Sequence, residues 1–306
     1  MLRSFKIFEM TLASLISRTL LRLVLPALLF GCATAQTGIT EIYSGRGMFG
    51  EIYIYDDADG FRTMEFERGA ARHALVRRGD PLHLEFEYSR IALIGLALSR
   101  KPPQRILVVG LGGGSLPVFL HRVYPEVQID VVEIDPEVVR VAKKYFDVTE
   151  DARLRIHVAD GRRFIEQSVA ASYDIVILDA FGASELPTHL STQEFLRSVR
   201  GVLRPDGVSV SNIWGPNSNP RYFDMVATHQ AVFDGLAAIY APSNVNVVLF
   251  GLPRPERLEQ AALARRVREV TTPPVFRYDL GGFIEQAWIA PAAAAAQGKV
   301  LRDRSR

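Results

Sequence analysis

The stretch RILVVGLGGGSLPVFLHRVYPEVQIDVVE, residues 105–133, decides the fold of this chain. An apolar β-branched run ends in a glycine-rich turn, an apolar segment at helical spacing follows, and a second apolar run ends in Glu133. The pattern predicts strand, tight turn, helix and strand. Glycines let a backbone turn sharply and approach a ligand closely, and the start of the helix offers free N–H groups beside them. We therefore predict a nucleoside-bearing ligand at the carboxyl ends of a parallel sheet. The predicted ligand-binding residues of this unit are Gly110, Gly112, Gly114 and Glu133.

Acids also follow the next two apolar runs of the chain. Residues 154–158 lead into Asp160 and Gly161, and residues 173–178 lead into Asp179. A buried carboxylate is costly unless it is paired, so acids closing three successive strands indicate a ligand crevice at one sheet edge. Two structural alternatives stay open: Asp160 as a helix N-cap, and a glycine turn that only packs helix on strand.

Composition narrows the classes of function. The chain has 306 residues, 48% of them hydrophobic and 23% charged, which is ordinary for a globular protein. A net charge of +2 gives no electrostatic case for a nucleic-acid partner. The single cysteine, Cys32, excludes a disulfide framework and a thiolate metal site, and the six histidines lack ligand spacing, so we expect no metal.

Residues 1–35 read as a signal peptide or lipoprotein leader. Arg22 precedes the short apolar run 23–31, and the small residues 32–35 follow. The segment before Cys32 is similar to a bacterial lipoprotein box, which makes Cys32 a candidate lipid anchor. We expect an exported protein, periplasmic or lipid-anchored; the alternative is a cytoplasmic N-terminal helix.

The rest of the chain divides by pattern. Residues 36–82 predict a small antiparallel β-domain with strands at 51–56, 61–67 and 72–76. Residues 83–285 alternate strand and helix, which predicts a Rossmann-like domain. Residues 286–306 read as a frayed Ala/Arg-rich tail.

Two late apolar runs, 236–240 and 245–250, are separated by too few residues for a parallel crossover. They predict a hairpin, so at least one strand runs against the others. The predicted fold class is therefore α/β: a Rossmann-like fold of the adenosylmethionine-dependent transferase type, with a mainly parallel sheet, a late reversed strand and a preceding antiparallel β-domain.

Local signals predict element ends. A helix is expected over 85–98, and Asp135 before Pro136 is expected to cap another. Ser191 with Glu194 reads as a capping box. Residues 204–207 read as a turn, and 256–270 as the last helix.

Together these segments resemble the spermidine synthase (polyamine aminopropyltransferase) family over about residues 45–252. LEFEYSRI at 84–91 is similar to the family's D-E-F-x-Y-x-E-M, and VVEIDPEVVRVAKKYF at 131–146 to its E-I-D motif. The glycine turn, HVADGRRFI at 157–165 and YDIVILDAF at 173–181 also match family motifs. The resemblance implies ribose binding by Glu133, adenine contacts from Asp160 and Gly161, an amine pocket lined by Tyr88, and Asp179 as the catalytic acid.

Two departures affect the amine half of that pattern. Gly113 stands where the family's glycine loop carries an aspartate for the aminopropyl amine, and Gly182 where its D-x-x-D segment carries a second acid. Glu185, in the adjoining loop, is the candidate substitute. The nucleoside half of the motif set is intact in sequence.

The resemblance implies decarboxylated S-adenosylmethionine as co-substrate, a small-molecule amine as the other partner and aminopropyl transfer in polyamine biosynthesis, weak or altered in substrate. A homodimer is included among the expected assemblies. Alternatives are an S-adenosylmethionine-dependent methyltransferase, an exported non-catalytic nucleoside- or polyamine-binding protein, and an NAD-binding domain.

Overall fold

The computed structural model describes residues 38–69, 71–180, 187–241, 243, 245–271 and 276–304. The leader prediction for 1–35, with Cys32, lies outside the described residues, as do Gly182 and Glu185. None of the helices in the described ranges has the length and apolar character needed to cross a bilayer.

A four-stranded antiparallel sheet begins the described chain. Its strands follow one another in sequence order: β1 (Thr40–Arg46), β2 (Glu51–Asp56), β3 (Phe61–Glu65) and β4 (Arg72–Arg77). The last three correspond to predicted strands. The first was missed because it is a largely exposed edge strand with a weak apolar pattern.

An eight-stranded sheet forms the second layer. It comprises β5 (Arg105–Val109), β6 (Gln128–Glu133), β7 (Leu154–Val158), β8 (Tyr173–Leu178), β9 (Leu203–Trp214), β10 (Gly235–Ala241), β11 (Asn246–Leu252) and β12 (Trp288–Ile289). The order is β12-β10-β11-β9-β8-β5-β6-β7, and β5 to β9 pair in parallel. Strand β11 runs antiparallel to both β9 and β10. The predicted mainly parallel sheet with a late reversed strand is confirmed. The strand order reverses between β5 and β8, where ligands bind in open α/β sheets.

Ten helices lie in the described ranges. They are α1 (Glu87–Ala92), α2 (Gly95–Leu98), α3 (Ser115–Val123), α4 (Pro136–Tyr145), α5 (Gly161–Gln167), α6 (Gln193–Val202), α7 (Tyr222–Gln230), α8 (Gln260–Val270), α9 (Leu280–Ala287) and α10 (Pro291–Ala295), with a 3-10 turn, η1 (Thr188–Leu190). The two sheets share a core, because Ile52, Ile54 and Met64 of the small sheet pack in one buried cluster with α1, α2 and a face of the large sheet.

Several helix predictions were wrong in detail. The expected helix 85–98 is two pieces, α1 and α2, and Gly95 at the start of α2 is packed so closely that a Cβ there would lie 2.7 Å from Val210 Cγ2. Thr192, not Ser191, caps α6, since the Ser191 hydroxyl donates to the Thr188 carbonyl instead. The Asp135 cap of α4 is confirmed.

The C-terminal part differs most from expectation. The predicted turn 204–207 lies inside β9 as an irregularity in its pairing with β8. Helix α8 is followed by two more helices, so it is not the last. The segment 299–301 is docked and not frayed: the Gln193 N–H donates to the Leu301 carbonyl at 2.8 Å, and the Lys299 N–H donates to Asp224 at 2.7 Å. Composition alone did not show these backbone partners.

Candidate functional site

The glycine turn takes the geometry that only glycine adopts easily. Gly110, Gly112 and Gly114 have φ of +100°, +52° and +71°. A Cβ at Gly110 would lie 2.3 Å from the Asp179 carbonyl oxygen, so β5 and β8 approach too closely there for any side chain. The turn therefore runs directly beside the end of β8 and opens the strand-order switch point as a crevice.

Glu133 lies at the end of β6 and faces back toward this turn. Its Oε2 accepts from the Leu111 N–H at 3.0 Å and its Oε1 from the Asp135 N–H at 3.0 Å. Burial raises the pKa of Glu133, and these N–H groups oppose that rise. A carboxylate has about four acceptor positions, and three backbone N–H groups, including that of Ile134, act on this one, so acceptor capacity remains for a ligand hydroxyl.

Asp160 is a helix N-cap, which was the structural alternative that the sequence left open. Its Oδ1 accepts from the Arg163 N–H at 2.9 Å and caps α5, while its Oδ2 lies 3.0 Å from His189 Nε2. Burial opposes ionisation of Asp160, yet the bonds from Arg163 and His189 outweigh it and lower its pKa. Gly161 follows, and a Cβ there would lie 2.5 Å from Val109 Cγ1. The sequence carried no signal for the His189 contact, which joins η1 to α5.

Asp179 lies at the opposite side of the turn, one residue beyond β8. Asn212 Nδ2 donates to its Oδ1 at 2.8 Å, and Asn246 Nδ2 donates to Asn212 Oδ1 at 2.8 Å. Tyr88 of α1 also hydrogen-bonds to Asp179. Burial raises the pKa of the Asp179 carboxyl to about 6, against the opposing bonds from Asn212 and Tyr88. Burial and the charge of Asp179 raise the pKa of Tyr88 well above its usual range. Neither asparagine was foreseen, because a neutral amide outside a motif gives no sequence signal.

One cleft of about 800 Å³ joins these groups. This volume is within the usual range of small-molecule sites. Its lining includes every predicted site residue in the described ranges except Gly114, which lies at the N-cap of α3 beside it. Aromatic side chains line other parts of the wall: Phe49, Phe66, Phe86, Tyr88 and Trp214. No cluster of three or more metal-ligating side chains occurs among the described residues.

Packing around Gly113 leaves no room for the aspartate that the family pattern has at this position. A Cβ at Gly113 would lie 2.6 Å from Ala74 Cβ and 3.0 Å from Phe146 Cδ1. Real Cβ contacts are essentially never shorter than 3.0 Å, so β4 closes the space that an aspartate at 113 would need. The cleft therefore lacks a carboxylate at this point because the neighbouring β-sheet occupies its place.

Comparison with known proteins agrees with this architecture. A model of the spermine/spermidine synthase domain matches residues 85–240. The polyamine aminopropyltransferase of Vibrio vulnificus is 33% identical over 235 residues, which cover 74% of this chain and 77% of that protein.

Two solved structures share the fold. A probable spermidine synthase from Corynebacterium glutamicum superposes with a TM-score of 0.70 at 23% identity, covering 86% of this chain and 97% of that one. Human methyltransferase-like protein 13, solved in complex with SAH, superposes with a TM-score of 0.55 at 30% identity, covering 65% of this chain and 93% of that one. From the matched domain and the extent of the sequence identity, this chain belongs to the spermine/spermidine synthase family.

Proposed function

We propose that this protein transfers an aminopropyl group from decarboxylated S-adenosylmethionine to a small-molecule amine of the polyamine type. The observation that carries the proposal is the placement of Asp179. Its carboxylate, with a pKa of about 6, lies beside Tyr88 and in the same cleft as the glycine turn and Glu133. A base that can activate an amine and a turn that can bind a nucleoside therefore line the same cleft.

The nucleoside half supports a sulfonium donor that carries adenosine. The glycine turn leaves room for a ligand against the start of α3. Glu133 keeps acceptor capacity for a ribose hydroxyl while its backbone bonds hold it in place. The domain match to spermine/spermidine synthases and the SAH-bound relative both point to an adenosylmethionine-related ligand.

The amine half supports nucleophilic displacement. Asp179 accepts a proton from the acceptor's ammonium group, which frees the nitrogen lone pair. That lone pair attacks the aminopropyl carbon next to the sulfonium, the carbon–sulfur bond breaks, and its electron pair stays on sulfur. The products are a secondary ammonium and neutral methylthioadenosine. A positioned base contributes typically about 10²–10⁴-fold to such a rate, and orientation of the two reactants supplies further acceleration.

Methyl transfer from S-adenosylmethionine is the second candidate. The observation that favours it is the closed space at Gly113, since Ala74 and Phe146 leave no room there for a carboxylate that would bind the aminopropyl amine. Similarity to the SAH-bound human protein agrees with it.

One assay separates these candidates. Purified protein is given decarboxylated S-adenosylmethionine with putrescine, or S-adenosylmethionine with the same amine, and methylthioadenosine and S-adenosylhomocysteine are measured. We expect methylthioadenosine, weakly, and a loss of about 10²–10⁴-fold in Asp179→Asn. Asp206→Asn, a partly exposed carboxylate at the far end of β9, is the matched control. Release of S-adenosylhomocysteine alone identifies a methyltransferase, and tight nucleoside binding without either product identifies a binding protein.

A further inference from the structure

Three polar side chains form a row across adjacent strands of the large sheet. Asp179 follows β8, Asn212 lies on β9 and Asn246 begins the reversed strand β11. Asn212 and Asn246 are each 5% exposed. We call these three residues the amide row. Two adjacent amides this deeply buried need defined partners, because an unpaired buried polar group costs free energy.

The chemistry of the row sets its direction. An ionised carboxylate only accepts hydrogen bonds, so Asn212 must turn its Nδ2 toward Asp179, and it does so at 2.8 Å. Its Oδ1 then faces Asn246, which must present its own Nδ2, and that bond is also 2.8 Å. The three orientations are therefore coupled: an Nδ2 presented by Asn246 favours the Asn212 orientation that donates to Oδ1 of Asp179.

The elements on both sides of Asp179 are also tied together. Ser243, in the β10–β11 connection, donates from its N–H and its hydroxyl to Glu87 Oε2 at 3.0 and 2.7 Å. Glu87 precedes Tyr88 on α1, the helix that supplies the other hydrogen bond to Asp179. The β10–β11 hairpin thus contacts both hydrogen-bond donors of Asp179 indirectly: through Glu87 it holds the helix of Tyr88, and through Asn246 it holds Asn212.

We propose that Asn246 is a positioning residue: acting through Asn212, it keeps an amide donor on Oδ1 of Asp179 and so orients the carboxylate, beside Tyr88, toward the acceptor amine. This inference rests on the proposed function, in which Asp179 is the base. It gives the reversed strand a part in the reaction, although no group on that strand reacts.

Other titratable groups must be distinguished in any test. Among the described residues, Tyr88 is the titratable group that bonds to Asp179. Further charged or titratable groups lie along the same cleft or its rim: Arg72, His73, Glu85, Glu87, Glu133, Asp135, Asp160 and His189. The test therefore follows the side-chain carboxyl carbon of Asp179 itself by ¹³C NMR, assigned by its loss in Asp179→Asn, with no substrate present.

Two variants of Asn246 perturb the row in different ways. Asn246→Leu removes the donor, so Asn212 is free to turn its carbonyl toward Asp179. Asn246→Asp is nearly isosteric but only accepts, so it reverses the row and presents the Asn212 carbonyl to Asp179. We expect the Asp179 midpoint to rise by about one pH unit in the first variant and by more in the second, as expected for loss of a hydrogen bond to the charged form. The acid limb of kcat/KM should rise by the same amount, while the KM for the donor changes little.

A double-mutant cycle separates positioning from a general effect on packing. In an Asn212→Ala background, Asn246→Leu should cause no further change in the Asp179 midpoint. An equal shift in both backgrounds, or an unchanged midpoint in the single variants, overturns the proposal. If Asn246→Leu fails to fold, Asn246→Ala, which removes the same donor and adds no charge, carries the same comparison. A shifted midpoint in a protein that alkylates no amine keeps the positioning role and removes the proposed function.

Discussion

Replacing Glu133 with glutamine should weaken nucleoside binding without unfolding the protein. Both carboxylate oxygens accept backbone N–H groups at 3.0 Å, from Leu111 and Asp135. Glutamine keeps the shape but turns one acceptor into a donor. A hydrogen bond to a charged group contributes about 1.5–3 kcal/mol, so losing one to a ribose hydroxyl should raise Kd about 10- to 150-fold. The backbone donor left without its acceptor should also cost about 1–3 kcal/mol of stability.

Isothermal titration with methylthioadenosine measures the first effect, and its 2′-deoxy analogue isolates the ribose contact. Wild type should prefer the ribose form, and Glu133→Gln should lose that preference. Because burial raises the pKa of Glu133, affinity in wild type should fall as the pH is lowered and the carboxylate is protonated. Glu126→Gln, an exposed carboxylate, is the control. Equal affinities of wild type and Glu133→Gln for methylthioadenosine, at a temperature where both proteins are folded, would refute the assignment.

Four further outcomes are expected. The folded-state pKa of Asp179 is raised from 3.8 to about 6, so ionisation of this buried carboxyl lowers the stability of the fold as the pH rises through that interval. In thermal melts, Asp179→Asn should therefore be more stable than wild type at pH 8, by up to about 3 kcal/mol, and equally stable at pH 4. Gly113→Asp should lower the free energy of unfolding by about 1–3 kcal/mol in denaturant titrations and should not increase aminopropyl transfer. Adding Ala74→Gly should recover part of the lost stability, and a stable, more active single variant would contradict the packing argument. Deleting residues 299–306 should lower the free energy of unfolding by about 1–3 kcal/mol, again in denaturant titrations, because several backbone hydrogen bonds are lost. An unchanged unfolding midpoint would show that this segment contributes nothing to stability. Mass spectrometry of protein from its native host should find a start near Cys32 or Gln36, and an intact Met1 or Met10 terminus on cytoplasmic protein would end the export prediction.

The placement of the proposed nucleoside-binding residues could be predicted because its signals are local. Gly110 and Glu133 belong to one strand–turn–helix–strand unit, and parallel strands gather their carboxyl ends at one edge. Asp179 was predictable for the same reason, since it follows a parallel strand. For Asp160 the local pattern left two interpretations open, a ligand contact and a helix N-cap, and the structure shows the cap.

Other features depend on contacts between segments far apart in the chain. Asn246 reaches Asn212 only because β11 inserts antiparallel beside β9. His189 reaches Asp160 across 29 residues. Neutral amides and isolated histidines have no periodic or motif signature, so their roles appear only when the sheet order is known.

The sequence by itself determined the alternation of strands and helices, the glycine turn and the acids at strand ends, because these arise from backbone conformation and apolar periodicity within short windows. Tertiary structure decided the surroundings of Gly113 and Asp179. It closed the space at Gly113 with Ala74 of the small sheet, buried Asp179 and raised its pKa, and set two asparagines behind it. Burial and steric exclusion depend on which distant surfaces meet, and a linear pattern does not contain that information.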